Sequence, residues 1–318
     1  MHDFGYTVPI MTILVFGGTG LIGTGTVAQL CTDGEIVSVA ARRQPDEGEL
    51  LDLSGQYAFH EGDITDPEFV STVVNETKPT GIIHLAAMLI GGCEKDPAAA
   101  HEVNVNGTMH ILRAAAKANV KRFIFASTIA VYGGGDGPFE ESMDPSTRSV
   151  YGASKFYSEI SGRRFAKQHD ISYTALRYSG VIGPATVKGE GMAATRDKIK
   201  STVSGNDVEI SMVSGDERTQ YTYISEAVDA TLAALRHPNP KHPVYNVAGP
   251  DENCVSFKEY HALIKRLVPS AGNVRFTGRA MRGGGRMITK RMREDLNMTP
   301  TITVEQGLRE ELSKKGLL

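Results

Sequence analysis

An α/β chain wound around a parallel sheet with helices on both faces, closed by a small C-terminal cap, is what this sequence predicts. Three observations carry the prediction. Short β-branched, apolar runs alternate with helical patterns along much of the chain; a glycine-rich turn stands between the first run and the first helix; and the rhythm breaks after Pro184. Strands alternating with helices imply a parallel sheet with right-handed crossovers.

The first run is Thr12–Phe16 (TILVF), followed by Gly17-Gly18-Thr19-Gly20-Leu21-Ile22-Gly23, a helical pattern through Leu30, and a second strand at Ile36–Ala40. This strand–glycine loop–helix–strand unit of about 30 residues is the dinucleotide-binding arrangement. Further strands are predicted at Tyr57–Glu61, Gly81–Leu85, Arg122–Ala126, Ser172–Arg177 and Val244–Val247. Helices are predicted at Ala98–Ala118, Tyr151–Gln168 and Glu226–Leu235. The result is a Rossmann-type, doubly wound fold. Residues 11–184 form the dinucleotide-binding part, with 221–249 returning to it. Residues 185–220 and 250–318 form a substrate-binding cap over the C-terminal ends of the strands, where ligands bind in open α/β sheets.

Composition narrows the function. With 318 residues the chain buries a sizeable core without disulfide or metal staples. The 34 basic and 37 acidic residues leave a net charge of −3, which argues against a nucleic-acid partner. Cys31, Cys93 and Cys254 are odd in number and far apart, so neither a disulfide framework nor a zinc site is indicated, and a cytoplasmic setting is expected. No metal is expected. Met1–Ile10 lacks the pattern of a signal peptide, and no apolar window is long enough to span a bilayer.

Three constellations carry chemistry. In the glycine loop, Gly17 permits the sharp exit from the strand, Gly20 lets backbone approach a pyrophosphate, and Gly23 allows close helix–strand packing. The helix that begins at Leu21 and Ile22 turns its N-terminal N–H groups toward the phosphates. In Tyr151-Gly152-Ala153-Ser154-Lys155, Tyr and Lys share one helix face. A free Tyr, with a pKa of about 10, is a poor base near neutrality, and an adjacent ammonium favours its phenolate. Such a Tyr exchanges a hydroxyl proton while a hydride moves at the carbon. In Phe125–Gly133, Ser127 and Thr128 stand at the end of the fifth strand, where a hydroxyl reaches a substrate oxygen.

In this order, the three elements resemble the extended short-chain dehydrogenase/reductase family, the NAD(P)-dependent epimerase/dehydratase group, from about Thr12 to about Leu312. Gly62-Asp63-Ile64-Thr65-Asp66 resembles the family segment whose Asp lies near the adenine. His84-Leu85-Ala86-Ala87 resembles the fourth-strand motif that backs the cofactor, with His84 as a packed wall residue. Val103–Thr108 resembles the helix whose Asn, here Asn104, supports the active site. Leu176-Arg177-Tyr178 with Gly183-Pro184, and Met292–Leu296 with Pro300 and Glu305–Leu308, resemble later family segments.

The resemblance implies Tyr151 as general acid/base, and Lys155 as the residue that lowers its pKa and holds the nicotinamide ribose. Thr128 ranks as the hydroxyl residue ahead of Ser127, with Asn104 in support. The cofactor would touch Gly17, Gly20, Leu21, Ile22, Gly23, Asp63, Ile64, Leu85, Ala86, Ala87, Tyr151, Lys155 and Tyr178. It also implies a homodimer through the helices that contain Asn104 and Tyr151. Where NAD binding favours an acid at the end of the second strand, this chain has Arg42 and Arg43, so NADP is expected over NAD.

Other departures bear on the substrate. Ile129 and Ala130 stand where family dehydratases place Asp and Glu, which argues against dehydration. Ser179-Gly180 stands where many nucleotide-sugar epimerases place Asn, and Arg218-Thr219-Gln220-Tyr221 lacks the usual acid. Met88, Thr128, Arg218 and Arg282 are the substrate-side candidates. Arg279, Arg282 and Arg286 flank Gly283-Gly284-Gly285, a basic loop suited to an anionic substrate. The expected activity is a hydride-transferring oxidoreductase on a small or sugar-like alcohol or ketone. The alternatives are a sugar or nucleotide-sugar epimerase with retained NAD, and a non-catalytic dinucleotide sensor.

Overall fold

The structure is a computed structural model. It describes residues 10–44, 50, 53, 55–184, 192–280, 282 and 284–318. Residues 185–191, where the cap was expected to begin, and Gly283 of the triple glycine lie outside the described residues.

Twelve strands are described. In chain order they are β1 Thr12–Phe16, β2 Ile36–Ala41, β3 Tyr57–Glu61, β4 Gly81–His84, β5 Arg122–Thr128, β6 Ser172–Tyr178, β7 Gly180–Ile182, β8 Val208–Ile210, β9 Arg218–Tyr223, β10 Val244–Val247, β11 Cys254–Ser256 and β12 Val274–Phe276. Seven form the main sheet in the order β10-β6-β5-β4-β1-β2-β3. Every pairing in that sheet is parallel. The order reverses at β1, between β2 and β4, and ligands of such sheets bind at this switch point.

The inner strands read as apolar runs because both their faces are covered. Ile13, Leu14, Val15, Phe16, Ile82 and Ile83 are fully buried. One face packs into a cluster with Val27, Leu30, Val228 and Leu232 from the helices Leu21–Thr32 and Ile224–Arg236. The other packs with Val70, Val74, Ile111 and Leu112 from the helices Pro67–Thr77 and Gly107–Lys117.

The predicted helix Ala98–Ala118 is not one regular helix. Pro97–Ala100 and Gly107–Lys117 are α-helical, and His101–Asn106 between them is a π-helical segment that contains Asn104. Such segments are rare and concentrate at functional sites. The helix Val150–Gln168 starts where Ser149 accepts a hydrogen bond from the Gly152 N–H (3.0 Å).

Beyond the main sheet, β7, β9 and β11 form a three-stranded sheet, and β8 pairs with β12. A third apolar cluster joins Ile182, Tyr221, Tyr223, Phe257, Tyr260 and Leu308. Two segments expected in the dinucleotide-binding part, 180–182 and 221–223, pair with each other as β7 and β9, so the expected boundaries fall inside this smaller sheet.

Candidate active site

A cleft of about 1300 Å³ runs along the C-terminal ends of the main-sheet strands and into the smaller sheet. Its floor begins at the glycine loop. Gly17 has φ +81°, and a Cβ there would stand 2.6 Å from the Ala86 nitrogen. A Cβ on Gly23 would stand 2.3 Å from the Gly17 carbonyl oxygen. The loop is therefore closed against its own backbone and against the end of β4. Gly20 caps the helix that follows with no side-chain hydrogen bond, so its first-turn N–H groups are left to a ligand. This is a cradle of backbone donors that fits a dinucleotide pyrophosphate.

Gly17, Gly20, Leu21, Ile22 and Gly23 line the cleft. So do Arg42 and Arg43 beyond β2, Asp63 and Ile64 beyond β3, and Leu85, Ala86 and Ala87 beyond β4. Asp63 is oriented by the Thr65 N–H and hydroxyl, which donate to it at 2.9 and 3.0 Å. Tyr178 also lines the cleft, but its hydroxyl is turned away and bonds Thr231 at 2.7 Å.

Tyr151, Lys155, Thr128 and Ser127 come together on the same cleft. Strand β5 runs two residues further than expected, which puts both hydroxyls on the strand. Thr128 Oγ accepts from the Ala130 N–H (3.2 Å), and its hydroxyl is near enough to Tyr151 to favour the phenolate. The Ser127 hydroxyl instead donates to the Glu159 carboxylate. Lys155, one helical turn after Tyr151, is 2% exposed, with Nζ 4.3 Å from the centre of the Phe125 ring.

The electrostatics differ from the simple expectation for Tyr next to Lys. Burial pushes the Tyr151 phenol up to about 12; the Cys93 thiol adds to this and the Thr128 hydroxyl opposes it. Burial pulls the Lys155 ammonium down to about 7, against the support of Glu159 and Cys93. Desolvation is the largest cause of both shifts, and neither residue of the pair is among the causes of the other's.

Of the residues the sequence singled out, Asn104, Met88, His84, Arg218, Arg279 and Arg286 do not line the cleft. Asn104 is 1% exposed and works as a clamp: it accepts from the Met88 N–H (2.8 Å) and donates to the Met88 carbonyl (3.0 Å) and Ser154 (3.1 Å). Met88, held this way, leaves its neighbours Leu89 and Ile90 to face the cleft. Arg218 is committed to Glu259 (2.7 Å) and to the Cys254 carbonyl. Arg282 does line the cleft, whereas Arg286 pairs with Asp251. His84, expected as a packed wall residue, is fully buried among Phe16, Phe123 and Phe125 and is not part of the cleft lining.

Arg148 and Arg196 were not expected at the site, and Ser179 and Tyr221 stood out only as departures from the family pattern; all four line the cleft. No local pattern marks them, because their position follows from how the cap folds back. Among the described residues, Asp63 is the only carboxylate along the lining, against Arg42, Arg43, Arg148, Lys155, Arg196 and Arg282. Among the same residues, no group of three or more His, Cys, Asp and Glu side chains could hold a metal ion. No described helix is long and apolar enough to cross a membrane.

A parallel sheet with a glycine cradle at its switch point and a Tyr/Lys pair on the same cleft defines a dinucleotide-dependent oxidoreductase of the extended short-chain dehydrogenase/reductase type. Residues 13–248 match the NAD dependent epimerase/dehydratase family, and the chain belongs to it. A UDP-glucose 4-epimerase of Lactobacillus helveticus is 31% identical over 254 residues, 74% of this chain and 76% of that protein. The structure of a UDP-glucose 4-epimerase from Thermotoga maritima with UDP-glucose superposes with a TM-score of 0.85 at 27% identity, covering 97% of this chain and 100% of that one. The UDP-glucose 4-epimerase of Thermus thermophilus in complex with NAD gives 0.83 at 25% identity, over 95% and 97% of the two chains.

Proposed function

We propose that this chain interconverts a secondary alcohol and a ketone on a small or sugar-like substrate, with Tyr151 as general acid/base. The observation that carries the reading is the placement of Tyr151, Thr128 and Lys155 on the cleft that also holds the glycine cradle. A bound nicotinamide dinucleotide supplies acceptance or return of a hydride; the proton falls to side chains of this chain. With its phenol held at about 12, Tyr151 is a proton donor at neutral pH, suited to a ketone oxygen that gains negative charge. In the reverse direction it takes the alcohol proton, with the Thr128 hydroxyl and the Lys155 ammonium supporting the phenolate. Lys155 also holds the nicotinamide ribose. The proposed cofactor is NADP, because Arg42 and Arg43 line the cleft beyond β2. The reading includes a homodimer through the helices around Asn104 and Tyr151, where Tyr157 is 57% exposed, in the cytoplasm.

A second reading, an epimerase that takes a nucleotide-linked sugar and keeps its NAD, is favoured by the UDP-glucose 4-epimerases among the relatives and by the arginine-rich cleft. One experiment separates the two. The purified protein is denatured, released nucleotide is identified by mass spectrometry, and the emptied protein is titrated with NADH and NADPH. An empty site that prefers NADPH, with turnover lost in Tyr151→Phe at unchanged cofactor affinity, supports the first reading. Near-stoichiometric NAD supports the second, and full turnover by Tyr151→Phe refutes the role given to Tyr151.

A further inference from the structure

Building on the proposed hydride transfer, we infer that the cap end of the cleft is an oxyanion subsite formed by Arg196 and Tyr221, so that the substrate carries a carboxylate or phosphate near its reacting carbon. Arg196 lines the cleft yet is 1% exposed, and it is the bulkiest fully buried side chain among the described residues. Its Nε and Nη2 donate to Asp197 at 3.1 and 2.8 Å, and its Nη1 donates to the Val181 carbonyl. A guanidinium has five N–H donors. One hydrogen on each of Nη1 and Nη2 has no acceptor among the described residues.

Tyr221 lines the same cleft at 2% exposure, and its hydroxyl is buried without a hydrogen-bond partner among the described residues. Buried hydroxyls are rarely left in this state. Arg196 and Tyr221 are close enough to interact electrostatically. A ligand that satisfies both accepts several hydrogen bonds beside a guanidinium, which suits the oxygens of an oxyanion. The named neighbours balance: Asp197 is shared between Arg196 and Lys200 (3.8 Å), and Lys200 also pairs with Glu311 (2.9 Å), so two cations face two carboxylates and the subsite rests on its unused donors, not on a surplus of positive charge.

Val181, which receives Arg196, lies three residues beyond Tyr178, the register partner of Thr128. Three residues span at most about 10 Å even when fully extended, so the carbonyl that holds Arg196 stays close to the strand end that carries Tyr178. A short hydroxy acid, a phosphorylated polyol and a nucleotide sugar each carry an oxyanion that such a subsite would take.

The test uses the full chain saturated with whichever of NADH or NADPH it binds, so that the phosphate cradle at the glycine loop is filled. Inorganic phosphate, acetate and UDP are titrated in by calorimetry against the native protein and Tyr221→Phe. This substitution removes only a hydroxyl that has no partner among the described residues, so melting temperature and cofactor affinity stay unchanged. The subsite predicts that at least one of the three anions binds the native protein and binds Tyr221→Phe about tenfold to a hundredfold more weakly. Acetate alone identifies a carboxylate substrate, phosphate alone a phosphorylated one, and UDP well above phosphate a nucleotide-linked one. The inference is overturned if the loaded protein ignores all three anions, or if Tyr221→Phe binds them undiminished. Failure to bind either dinucleotide would instead overturn the oxidoreductase reading on which it rests.

Discussion

Replacing Glu159 by Gln tests the reasoning about the ground beneath the site. Glu159 is 3% exposed and lies one helical turn after Lys155. Its carboxylate takes two hydrogen bonds from Arg177, at 2.9 and 2.7 Å, and one from the Ser127 hydroxyl. Arg177 in turn donates to Tyr132 (2.9 Å) and lies over its ring, and the Tyr132 hydroxyl donates to Asn246 (2.7 Å). Gln removes the charge and turns an N–H₂ group toward a guanidinium that is already all donor. Breaking one side of a buried pair costs about 3–5 kcal/mol, because the remaining charge stays buried. At about 2 °C per kcal/mol for a chain of this size, the melting temperature falls by about 6–10 °C.

Two controls give this prediction its force. Glu159→Met combined with Arg177→Met removes both charges together, and such replacements are often neutral or stabilising. Tyr132 keeps its bond to Asn246, and only the Ser127 hydroxyl loses its acceptor, so the double variant recovers most of the loss. The second control is electrostatic. Glu159 supports the Lys155 ammonium against burial, so Glu159→Gln moves the loss of that charge below its native value of about 7. As pH rises, activity that needs the ammonium then disappears earlier than in the native protein. Urea unfolding near neutral pH and a pH–rate profile measure both effects. A loss under about 1 kcal/mol, or a double variant as unstable as the single, would refute the treatment of Glu159 and Arg177 as a buried charge pair.

Three further outcomes are expected. Lys155→Met stabilises the cofactor-free protein: the unfolded chain takes up the proton first as pH falls below 10.5, so the native penalty grows down to about pH 7 and is constant below it. The gain is at most about 5 kcal/mol at ~1.4 kcal/mol per pH unit, and denaturation at about pH 6.5 against about pH 10.5 checks that it fades at the higher value. Gly23→Ala drives a methyl against the Gly17 carbonyl and the Gly18 Cα (2.3 and 2.7 Å), so dinucleotide affinity drops at least about tenfold in a fluorescence titration; unchanged affinity would show that the cradle does not bind phosphate. Arg42→Ala with Arg43→Ala weakens NADPH about tenfold or more beyond any effect on NADH, and equal losses would show that these arginines do not read a 2′-phosphate.

The main sheet was legible because its inner strands are buried on both faces. Runs such as TILVF therefore needed no alternation to be recognised, and the polar or glycine-bearing turns before Ile36, Gly81 and Arg122 marked where those strands begin. The glycine loop and the Tyr151/Lys155 pair were legible for a related reason: each is a local motif, complete within one turn. The role of Asn104 was not, since a π-helical segment leaves no periodicity that distinguishes it from the α-helix around it. The cap was least legible. Arg196 and Arg218 are the same residue type in the same irregular region. One is buried against Asp197 and the other is spent on Glu259 and a carbonyl. That difference is set by residues far along the chain, which spacing alone does not encode.

The opposite shifts of Tyr151 and Lys155 have one cause. A buried phenol resists becoming an anion and a buried ammonium resists remaining a cation, so desolvation drives the pair toward phenol and amine. The phenolate–ammonium pair carries the same net charge but separates it. That state gains from any dipole or charge that enters the cleft in the right place. The Thr128 hydroxyl already acts in this sense on the phenolate, and Glu159 acts on the ammonium. Desolvation thus holds the proton on Tyr151 near neutral pH, and under the proposed function a ligand that favours the phenolate is what releases it.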